Sequence, residues 1–337
     1  MQQESFDTLR DVKQLRGPEY HMPKVSVIII TYNRANFLLE AVRSVLSQTY
    51  TDFELIIVDD ASQDNTAQVV DGLSDKRIRY IRHEVNKGEA GARNTGVTNS
   101  KGEYIAFLDD DDEWLPEKLR LEVDVLENSP PETGGVYTGT ILTEMASGKT
   151  LLSFVPEERG NIYRNLIASN VVGGASTVLL RKECFEKVGL FDQIVGYPVD
   201  YDMWIRIAEE FQFEVIGEPL VKYRIHDNNM SDNLEIRIRG WEAFFEKHRE
   251  FFASNARACS QHYFYLGNQY CLVGKKWKAI NAFLKAVKLD PFKIKNHYYL
   301  GLSLLGPENF FRVKRWIRNG LTLLGLKKPF KEPVKTW

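Results

Sequence analysis

The sequence predicts an α/β protein with a doubly wound, mostly parallel sheet and a small all-helical region at its C-terminal end. Two observations lead to this prediction. Between residues 24 and 126, apolar runs typical of strands buried on both faces alternate with segments whose apolar residues recur at helical spacing. Such an alternation builds parallel sheets through right-handed crossovers. From about residue 235 onward, we expect helices only.

The elements of the first half follow one another closely. Val25 to Ile30 is a continuous apolar run, rich in β-branched residues, that predicts the first strand, and residues 35–47 carry one apolar helical stripe. "FELIIVDD" predicts the second strand, and "SQDNT" predicts the start of its helix. "IRYIRH" predicts a short third strand before the glycine-rich helix start "GEAGARNTGV". "EYIAFLDDDD" predicts the fourth strand, and Pro116 suits the first turn of the helix after it.

After residue 130 the pattern is looser. Residues 134–143 and 175–183 predict strands, residues 196–211 predict a loop that runs into a helix, and residues 213–226 predict a further strand region. We expect this half to close a site from the other side.

Polar clusters stand where the predicted parallel strands end. Thr31, Tyr32 and Asn33 follow the first strand, Asp59 and Asp60 the second, and Asp109 to Asp112 the fourth. In such sheets, ligands bind beyond the carboxyl ends of the strands. We therefore expect three separate pieces of sequence to converge on one rim.

The four adjacent aspartates call for a compensating positive charge. Hard divalent cations prefer carboxylate oxygens, and Mg²⁺ or Mn²⁺ held by one or two carboxylates is the usual arrangement where phosphates also bind. The alternative is an acidic helix N-terminus, which is favourable by roughly 0.3–1 kcal/mol per charge. That alternative suits Asp112 and Glu113, but it does not explain Asp109 to Asp111, which precede the predicted helix.

Two further segments could bind a nucleotide. Asp59 and Asp60 could accept hydrogen bonds from a nucleobase or a ribose hydroxyl, or simply form a turn after a strand. In "NKGEAGARNTG", glycines near a helix N-terminus allow close approach of a phosphate, and Arg93 could pair with a diphosphate. The alternative for Arg93 is a solvated helix start. The glycine spacing does not match the dinucleotide fingerprint.

Acidic residues next to aromatic ones mark a candidate general base. "VDYDMWIR" places Asp200 and Asp202 beside Tyr201 and Trp204, and such surroundings can raise a carboxylate pKa. The alternative is an exposed helix start. His226 in "YRIHDNNMS" could act at the site or be an ordinary loop histidine.

Composition limits the function classes. The chain has 337 residues, of which 43% are hydrophobic and 27% charged, which suits about two domains. A net charge of −2 argues against nucleic-acid binding, and the three cysteines are too widely spaced for a disulfide framework or a zinc knuckle. We expect no membrane span and no signal peptide, because no apolar run reaches about 18 residues and the N-terminus is polar.

The C-terminal region differs from the rest in charge. From Lys275 onward, 15 lysines and arginines stand against three acidic residues. The spacing of Leu266, Gly267, Ala279 and Phe283 is similar to the tetratricopeptide helix–turn–helix repeat, which we place at about residues 260–293. Residues 310–330 predict a basic amphipathic helix, suited to an anionic membrane surface or to docking on the first domain.

Taken together, "SVIIITYNRANFLLEAVRSVLSQTYTDFELIIVDDASQDNT", "NKGEAGARNTG", "GEYIAFLDDDDEWLPEKL", "GLFD", "VDYDMWIR" and "YRIH" resemble the family 2 glycosyltransferases of the GT-A fold. The resemblance covers residues 24–230 in the order of the family. It implies a Rossmann-like nucleotide-binding half of the sheet. Together with the helical pattern from residue 235, it leads us to expect three regions: an N-terminal extension at residues 1–23, a catalytic domain at 24–234 and a helical region at 235–337.

The resemblance also implies roles for individual residues. Asp200 falls at the position of the general base, and Asp111, together with Asp109, falls at the position of the Mn²⁺ or Mg²⁺ ligands. The donor site would include Thr31, Tyr32, Asn33, Asp59, Asp60, Arg93, Asp109, Asp110 and His226. Gly174, Ala175 and Trp204 would belong to the loop or helix that faces the sugar or the acceptor. The family often has Glu-Asp where this chain has Val199-Asp200, so an acidic neighbour of the base is lost.

The implied activity is inverting transfer of a sugar from a nucleotide-diphosphate sugar, commonly a UDP-sugar, to an acceptor hydroxyl. We expect a glycan or lipid-linked acceptor, a role in bacterial surface polysaccharide or glycan synthesis, and a cytoplasmic location at the membrane face. The membrane itself or a protein could bind the C-terminal region. The alternatives are a nucleotidyltransferase, an aspartyl phosphatase, and an inactive sugar-nucleotide-binding scaffold that acts through the helical region. A nucleotidyltransferase would need a glycine-rich basic loop after the first strand, and a phosphatase would have its paired acids there.

Overall fold

The structure is a computed structural model that describes residues 22–226, 234–306 and 309–313. Most of the predicted N-terminal extension and the predicted basic helix beyond residue 313 lie outside the described residues. The sheet domain contains β1 Val25–Thr31, α1 Ala35–Leu46, β2 Phe53–Asp59, α2 Thr66–Asp71, β3 Ile78–Arg82, α3 Gly88–Asn99, β4 Tyr104–Asp109, β5 Asp112–Trp114, α4 Lys118–Glu127, β6 Thr133–Glu144, β7 Thr150–Phe154, α5 Tyr163–Ala168, β8 Val178–Arg181, α6 Lys182–Val188, α7 Val199–Glu210 and β9 Gln212–Ile225. The helices that follow are α8 Leu234–Lys247, α9 Arg249–Ala253, α10 Ala256–Leu272, α11 Lys276–Leu289 and α12 Ile294–Leu304.

The strands form one nine-stranded mixed sheet in the order β3-β2-β1-β4-β8-β6-β9-β5, and β7 pairs with β6. β1 lies between β2 and β4 and is parallel to both. β8 is antiparallel to β4 and to β6, so β6 and its parallel neighbour β9 run in the same direction as the first four strands. The carboxyl ends of β1, β2, β4, β6 and β9 therefore meet at one edge of the sheet. The predicted α/β fold class and the first four strands are confirmed.

Two apolar clusters cover the two faces of the sheet, because successive side chains of a strand point to opposite faces. Ile28, Ile56 and Phe107 belong to one cluster, whereas Val27 and Ile29 belong to the other. All five side chains are at most 1% exposed. Burial on both faces explains why these strands appear in the sequence as continuous apolar runs.

The segment after the fourth strand differs from the expectation. Asp112 to Trp114 form β5, which is antiparallel to β9, and the following helix begins at Lys118 rather than at Pro116. The suggestion that Asp112 and Glu113 form an acidic helix N-terminus is therefore wrong. Pairing with β9 satisfies backbone groups that a helix start would leave open.

The second half of the sheet domain contains more and shorter secondary-structure elements than the sequence predicted. The predicted strand at 175–183 comprises a short 3₁₀ turn at Ala175–Thr177, β8 and the start of α6. β7 and α5 had no counterpart in the sequence-based prediction. β7 is exposed at every residue, and α5 spans six residues, so neither produces a strong apolar pattern.

The C-terminal helices pack against the sheet domain and share an apolar cluster with it. Phe244, Phe252 and Ala258 belong to the same apolar cluster as Ile28 and Phe107 of the sheet. Helices α10 and α11 form a hairpin in which a Cβ at Gly267 would meet the ring of Phe283 at 2.7 Å, so these helices pack closely. In the described part of the chain, no helix is both long and apolar enough to cross a membrane.

Candidate active site

The turn after β4 brings Asp110 and Asp111 against the end of β1. The Thr31 hydroxyl donates a hydrogen bond to Asp110 at 2.7 Å. The Arg34 guanidinium contacts Asp110 at 3.1 Å and Asp111 at 2.9 Å. Burial and the charge of Asp111 raise the pKa of Asp110 to about 7, although Arg34 opposes this shift. Arg34 was not predicted as a site residue, although it directly follows the polar cluster Thr31–Asn33.

Residues at the end of β9 contact this turn at Asp111. The Nε2 atom of His226 lies 3.0 Å from the Asp111 carboxylate, and the imidazole ring stacks on Phe37 at 4.4 Å between centroids. The Nε atom of Arg224 donates to the main-chain oxygen of Asp111 at 2.6 Å. Burial opposes ionisation of Asp111, but the hydrogen bond from His226 and the charge of Arg34 outweigh it and lower the pKa. The structure thus places His226 beside Asp111, and its role in binding a donor stays a prediction.

Asp112 faces the interior rather than the rim. Its carboxylate accepts a hydrogen bond from the Ser176 hydroxyl at 2.6 Å, and the Ser176 oxygen accepts one from the Asp109 N–H at 3.1 Å. Burial and the charges of Asp111 and Asp109 raise the pKa of Asp112 well above its usual range. This shift favours the protonated form of Asp112 and so lessens the repulsion among the four consecutive acidic residues. Ser176 was not predicted and lies in the loop that precedes β8.

A buried arginine links two sides of the rim. The Arg93 guanidinium in α3 contacts Asp200 at 2.5 Å, Glu89 at 2.5 Å and Asp109 at 2.8 Å. Arg93 is 1% exposed. Burial disfavours its charged form, but the three carboxylates outweigh this and raise its pKa. The sequence placed Arg93 at the site, and the structure shows that its guanidinium is engaged by three carboxylates rather than open to solvent.

Asp200 lies in the first turn of α7 with its carboxylate directed at this arginine. Its second oxygen accepts the Ala175 N–H at 3.1 Å, and the side chain is 18% exposed. Burial raises the pKa of Asp200 to about 6, with Arg93 acting against the shift and Asp109 adding to it. The position is a helix start, as one alternative had it, but a mostly buried one. A carboxylate held on both sides in this way suits proton abstraction.

Asp202 has a different environment from Asp200. Its buried carboxylate contacts Lys247 at 2.7 Å, His248 at 2.8 Å and Arg206 at 3.0 Å. Burial opposes ionisation, but these partners lower the pKa of Asp202 to about 2. Only Asp200 of the two acids faces the rim. Asp202 instead ties α7 to the C-terminal end of α8.

The loop before β8 is supported from behind by α7. The Trp204 Nε1–H donates to the Gly173 carbonyl at 2.9 Å, and the Trp204 side chain is fully buried. Gly173 has a positive φ of 94°, whereas a Cβ at Gly174 would find open space. The loop therefore leaves Gly174 on its open side, whereas the Ala175 N–H is bound to Asp200. Trp204 holds the loop in place.

The carboxylates of Asp59 and Asp60, at the end of β2, form hydrogen bonds within the protein. Asp60 accepts the N–H groups of Lys87 and Gly88, both at 2.8 Å, and contacts the Nδ1 atom of His83 at 2.7 Å. Asp59 is fully buried and accepts hydrogen bonds from the Tyr80 hydroxyl and the Ser62 N–H. Both carboxylates thus order the loops that line this part of the rim. Their contact with a nucleobase stays a prediction.

Tyr32 and Asn33 lie on the open side of the same region. Tyr32 is 45% exposed. Asn33 adopts a positive φ of 54° and accepts the Gln63 N–H at 2.6 Å, while its own N–H donates to Ser62 at 2.9 Å. These bonds fix the ends of β1 and β2 against each other and leave the Tyr32 ring available to a ligand.

The acidic turn fits part of a divalent metal site. Among the described residues, no three His, Cys, Asp or Glu side chains are grouped so that they could hold an ion by themselves. Mg²⁺ or Mn²⁺ bound with a diphosphate needs only one or two carboxylates. The Asp109 side chain is 30% exposed and ends β4, two residues before Asp111. This donor set fits such an ion if the ligand supplies the remaining oxygens.

The chain is similar to known glycosyltransferases over the region that carries this geometry. The family model described as Glycosyl transferase family 2 matches residues 26–189. An uncharacterized glycosyltransferase of Rickettsia typhi is 34% identical over 236 residues, which cover 67% of this chain and 73% of that protein. The UDP-Glc:alpha-D-GlcNAc-diphosphoundecaprenol beta-1,3-glucosyltransferase WfgD of Escherichia coli is 32% identical over 62% of this chain and 80% of its own length.

The fold has a counterpart among solved structures. S. aureus TarS, solved in complex with UDP-GlcNAc, superposes with a TM-score of 0.61 over 88% of this chain and 92% of its own, at 18% identity. This likeness shows the GT-A type of fold, and the sequence relatives show the family and the enzyme class. The chain is a glycosyltransferase that belongs to glycosyl transferase family 2.

Proposed function

We propose that this enzyme transfers a sugar from a UDP-sugar to an acceptor hydroxyl with inversion at the anomeric carbon, and that Asp200 is the general base. The observation that carries the proposal is the position of Asp200, between the Arg93 guanidinium at 2.5 Å and the Ala175 N–H at 3.1 Å. A carboxylate with a pKa of about 6 is ionised at neutral pH and remains basic enough to accept a proton.

The proposed reaction is a single displacement. Asp200 takes the proton from the acceptor hydroxyl as that oxygen forms a bond with the anomeric carbon. The bond between the anomeric carbon and the diphosphate oxygen breaks, and UDP leaves with the electron pair. One displacement inverts the anomeric centre. Arg93 and the Ala175 N–H keep the two Asp200 oxygens in fixed directions, which lowers the cost of orienting the base.

The acidic turn is proposed to hold a divalent ion. Asp111 and Asp109 would bind Mn²⁺ or Mg²⁺, and Asp110 would contact the ribose. The ion, when bound, supplies positive charge to the leaving diphosphate. His226 and Arg34 flank Asp111 at 3.0 and 2.9 Å, so both are placed near the position proposed for the donor phosphates.

The remaining rim residues are proposed to bind the rest of the donor and the acceptor. Thr31, Tyr32, Asn33, Asp59 and Asp60 would form the base and ribose side. The open loop at Gly174 and Ala175 would face the transferred sugar, with Trp204 behind it.

The acceptor is proposed to be a lipid-linked glycan of bacterial surface polysaccharide synthesis. The relative WfgD is named for a diphosphoundecaprenol-linked acceptor, which is the support for this choice. A lipid-linked acceptor would place the enzyme at the cytoplasmic face of a membrane, with the basic C-terminal region as the part in contact with it.

Isothermal titration calorimetry with UDP, with and without Mn²⁺, tests the donor side. We expect binding by the wild type to need the ion and binding by Asp111→Asn to be lost or at least tenfold weaker. Asp71→Asn, on the exposed end of α2, is the matched control and should behave as the wild type. Metal-independent UDP binding, equal in Asp111→Asn, would remove the metal role.

Turnover separates the enzyme from a binding scaffold. Asp200→Asn should bind UDP with wild-type affinity and lose transfer to the acceptor. If the wild type binds UDP-sugars but neither transfers nor hydrolyses them, the scaffold alternative replaces the proposal.

A further inference from the structure

Helix α11 and the turn after it expose large apolar side chains next to lysines. Trp277 is 79% exposed, Phe292 is 92% exposed and Ile294 is 82% exposed. Leu284, in the middle of the helix, is 41% exposed. A single exposed apolar side chain is ordinary, but four large ones within 18 residues form a surface that needs an explanation.

The exposed residues of α11 share one side of the helix. Trp277, Asn281, Leu284 and Lys288 are spaced by four, three and four residues, which places them on one face. The opposite side is buried against the hairpin partner α10 through Ala279, Phe283 and Ala286. The exposed face, which we call the α11 face, is about 21 Å long at 1.5 Å per residue. Phe292 in the following turn and Ile294 at the start of α12 are exposed next to it in the chain.

The α11 face is strongly basic. Residues 275–295 contain seven lysines and a single acid, Asp290. Two acids of α8 lie near one end: Glu242 contacts Lys278 at 3.3 Å, and Glu235 lies 3.9 Å from Lys275. At the same end, the Lys276 ammonium lies 5.8 Å from the Trp277 ring. The local charge stays positive after these acids are counted.

We propose that the α11 face docks on an anionic lipid surface. Interfacial segments combine tryptophan or phenylalanine side chains, which enter the headgroup region, with lysines that attract anionic lipids, and the α11 face has this composition. The chain's own C-terminal segment does not complement it, because residues 314–337 carry seven lysines and arginines against one acid. The inference deepens, and rests on, the proposed action on a lipid-linked acceptor.

The test is flotation of the full chain with phosphatidylcholine vesicles, with or without phosphatidylglycerol, in the absence of donor and acceptor. We expect the wild type to float only with the anionic vesicles and to be released by salt. The triple variant Lys278→Gln/Lys285→Gln/Lys288→Gln should bind on the order of a hundredfold more weakly, at about fivefold for each lysine. Trp277→Ser/Phe292→Ser should weaken binding without changing its salt dependence.

The matched control removes three exposed lysines from the sheet domain, Lys76, Lys149 and Lys187, and should float as the wild type. Circular dichroism melting and UDP titration check that each variant is folded and binds nucleotide. The proposal is overturned if the wild type ignores anionic vesicles, or if the α11 variants float as well as the control. Because flotation needs no turnover, its failure is distinguishable from failure of the proposed transferase activity.

Discussion

Gly240 of α8 lies directly against the main chain of Tyr197, so that a Cβ at position 240 would overlap the Tyr197 carbonyl oxygen. Tyr197 stands three residues before Asp200. The ring of Phe244, one turn further along α8, stacks on Tyr201 at 4.9 Å. Together with the pairing of Asp202 with Lys247 and His248, these contacts make the first helix of the C-terminal region the support for the segment that carries the proposed base.

Gly240→Ala should therefore damage turnover more than nucleotide binding. The added methyl group must push α8 away from Tyr197 or move the start of α7, and a displacement of about 1 Å at a reacting group can lower the rate on the order of a hundredfold. We expect a fall in kcat of at least tenfold, with the Kd for UDP within a factor of two or three of the wild type. Kinetics with a fixed donor and calorimetry with UDP measure the two effects.

Gly301→Ala is the control for this variant. Gly301 is also a helix residue, but a Cβ there meets nothing within 4 Å, so alanine should be neutral or slightly stabilising. Equal kcat values for Gly240→Ala and Gly301→Ala would show that α8 does not position the base.

The pH dependence of the rate should report the ionisation of Asp200. Burial raises its pKa to about 6, partly offset by Arg93, and only the ionised form can accept the acceptor proton. The rate at subsaturating substrate should therefore fall about tenfold per pH unit below pH 6 and level off above pH 7. Asp200→Asn should lower the rate by about 10²–10⁴ and abolish this limb. A wild-type profile that stays flat down to pH 5 would argue against Asp200 as the base.

Arg93→Lys should move this limb to higher pH. A lysine keeps the charge but cannot contact Asp200, Asp109 and Glu89 at once, as the guanidinium does. Weaker stabilisation of the Asp200 carboxylate raises its pKa, so more alkaline conditions are needed to ionise the base. Arg120→Lys, at an exposed arginine of α4, is the control. A limb at the same pH in Arg93→Lys and in the wild type would mean that Arg93 does not set the ionisation of Asp200.

The ends of the parallel strands could be predicted from the sequence because each is a local feature. Apolar runs such as that from Tyr104 to Leu108 fix the strands, and parallel topology then brings their carboxyl ends to one edge. The groups that pair with these carboxylates could not be predicted in the same way. Arg93 and Asp200 are 107 residues apart and meet only because α3 and α7 both begin at the rim.

The short elements were missed for a related reason. β5 has three residues, and its pairing with β9 is decided by the tertiary fold rather than by local pattern. Arg34 could have been predicted as a site residue, since it directly follows the polar cluster at the end of β1. Its contacts with Asp110 and Asp111, however, depend on the direction of the chain between β1 and α1. Ser176 gave no signal, because a serine in a glycine-rich loop is typical of any turn.

The stability of the C-terminal helices should depend on pH through His262. Its imidazole is enclosed by Phe252 at 4.0 Å, Trp241 at 5.2 Å and Phe245 at 5.8 Å, and burial lowers its pKa to about 3. Between pH 6 and pH 4 the unfolded chain binds a proton at this residue and the folded chain does not. The unfolding free energy should therefore fall with decreasing pH, by up to about 1.4 kcal/mol per pH unit from this group alone.

Denaturant unfolding of the wild type, His262→Phe and His262→Gln from pH 7 to pH 4 isolates this contribution. The two variants differ in packing, so their absolute stabilities will differ, but both lack the titrating group. Both should lose less stability on acidification than the wild type. His297→Gln, at an exposed histidine of α12, controls for removing a histidine as such and should keep the wild-type slope. If the curves of the wild type and both His262 variants run parallel over this range, the imidazole is protonated in the folded protein, and the aromatic enclosure does not exclude water as the structure indicates.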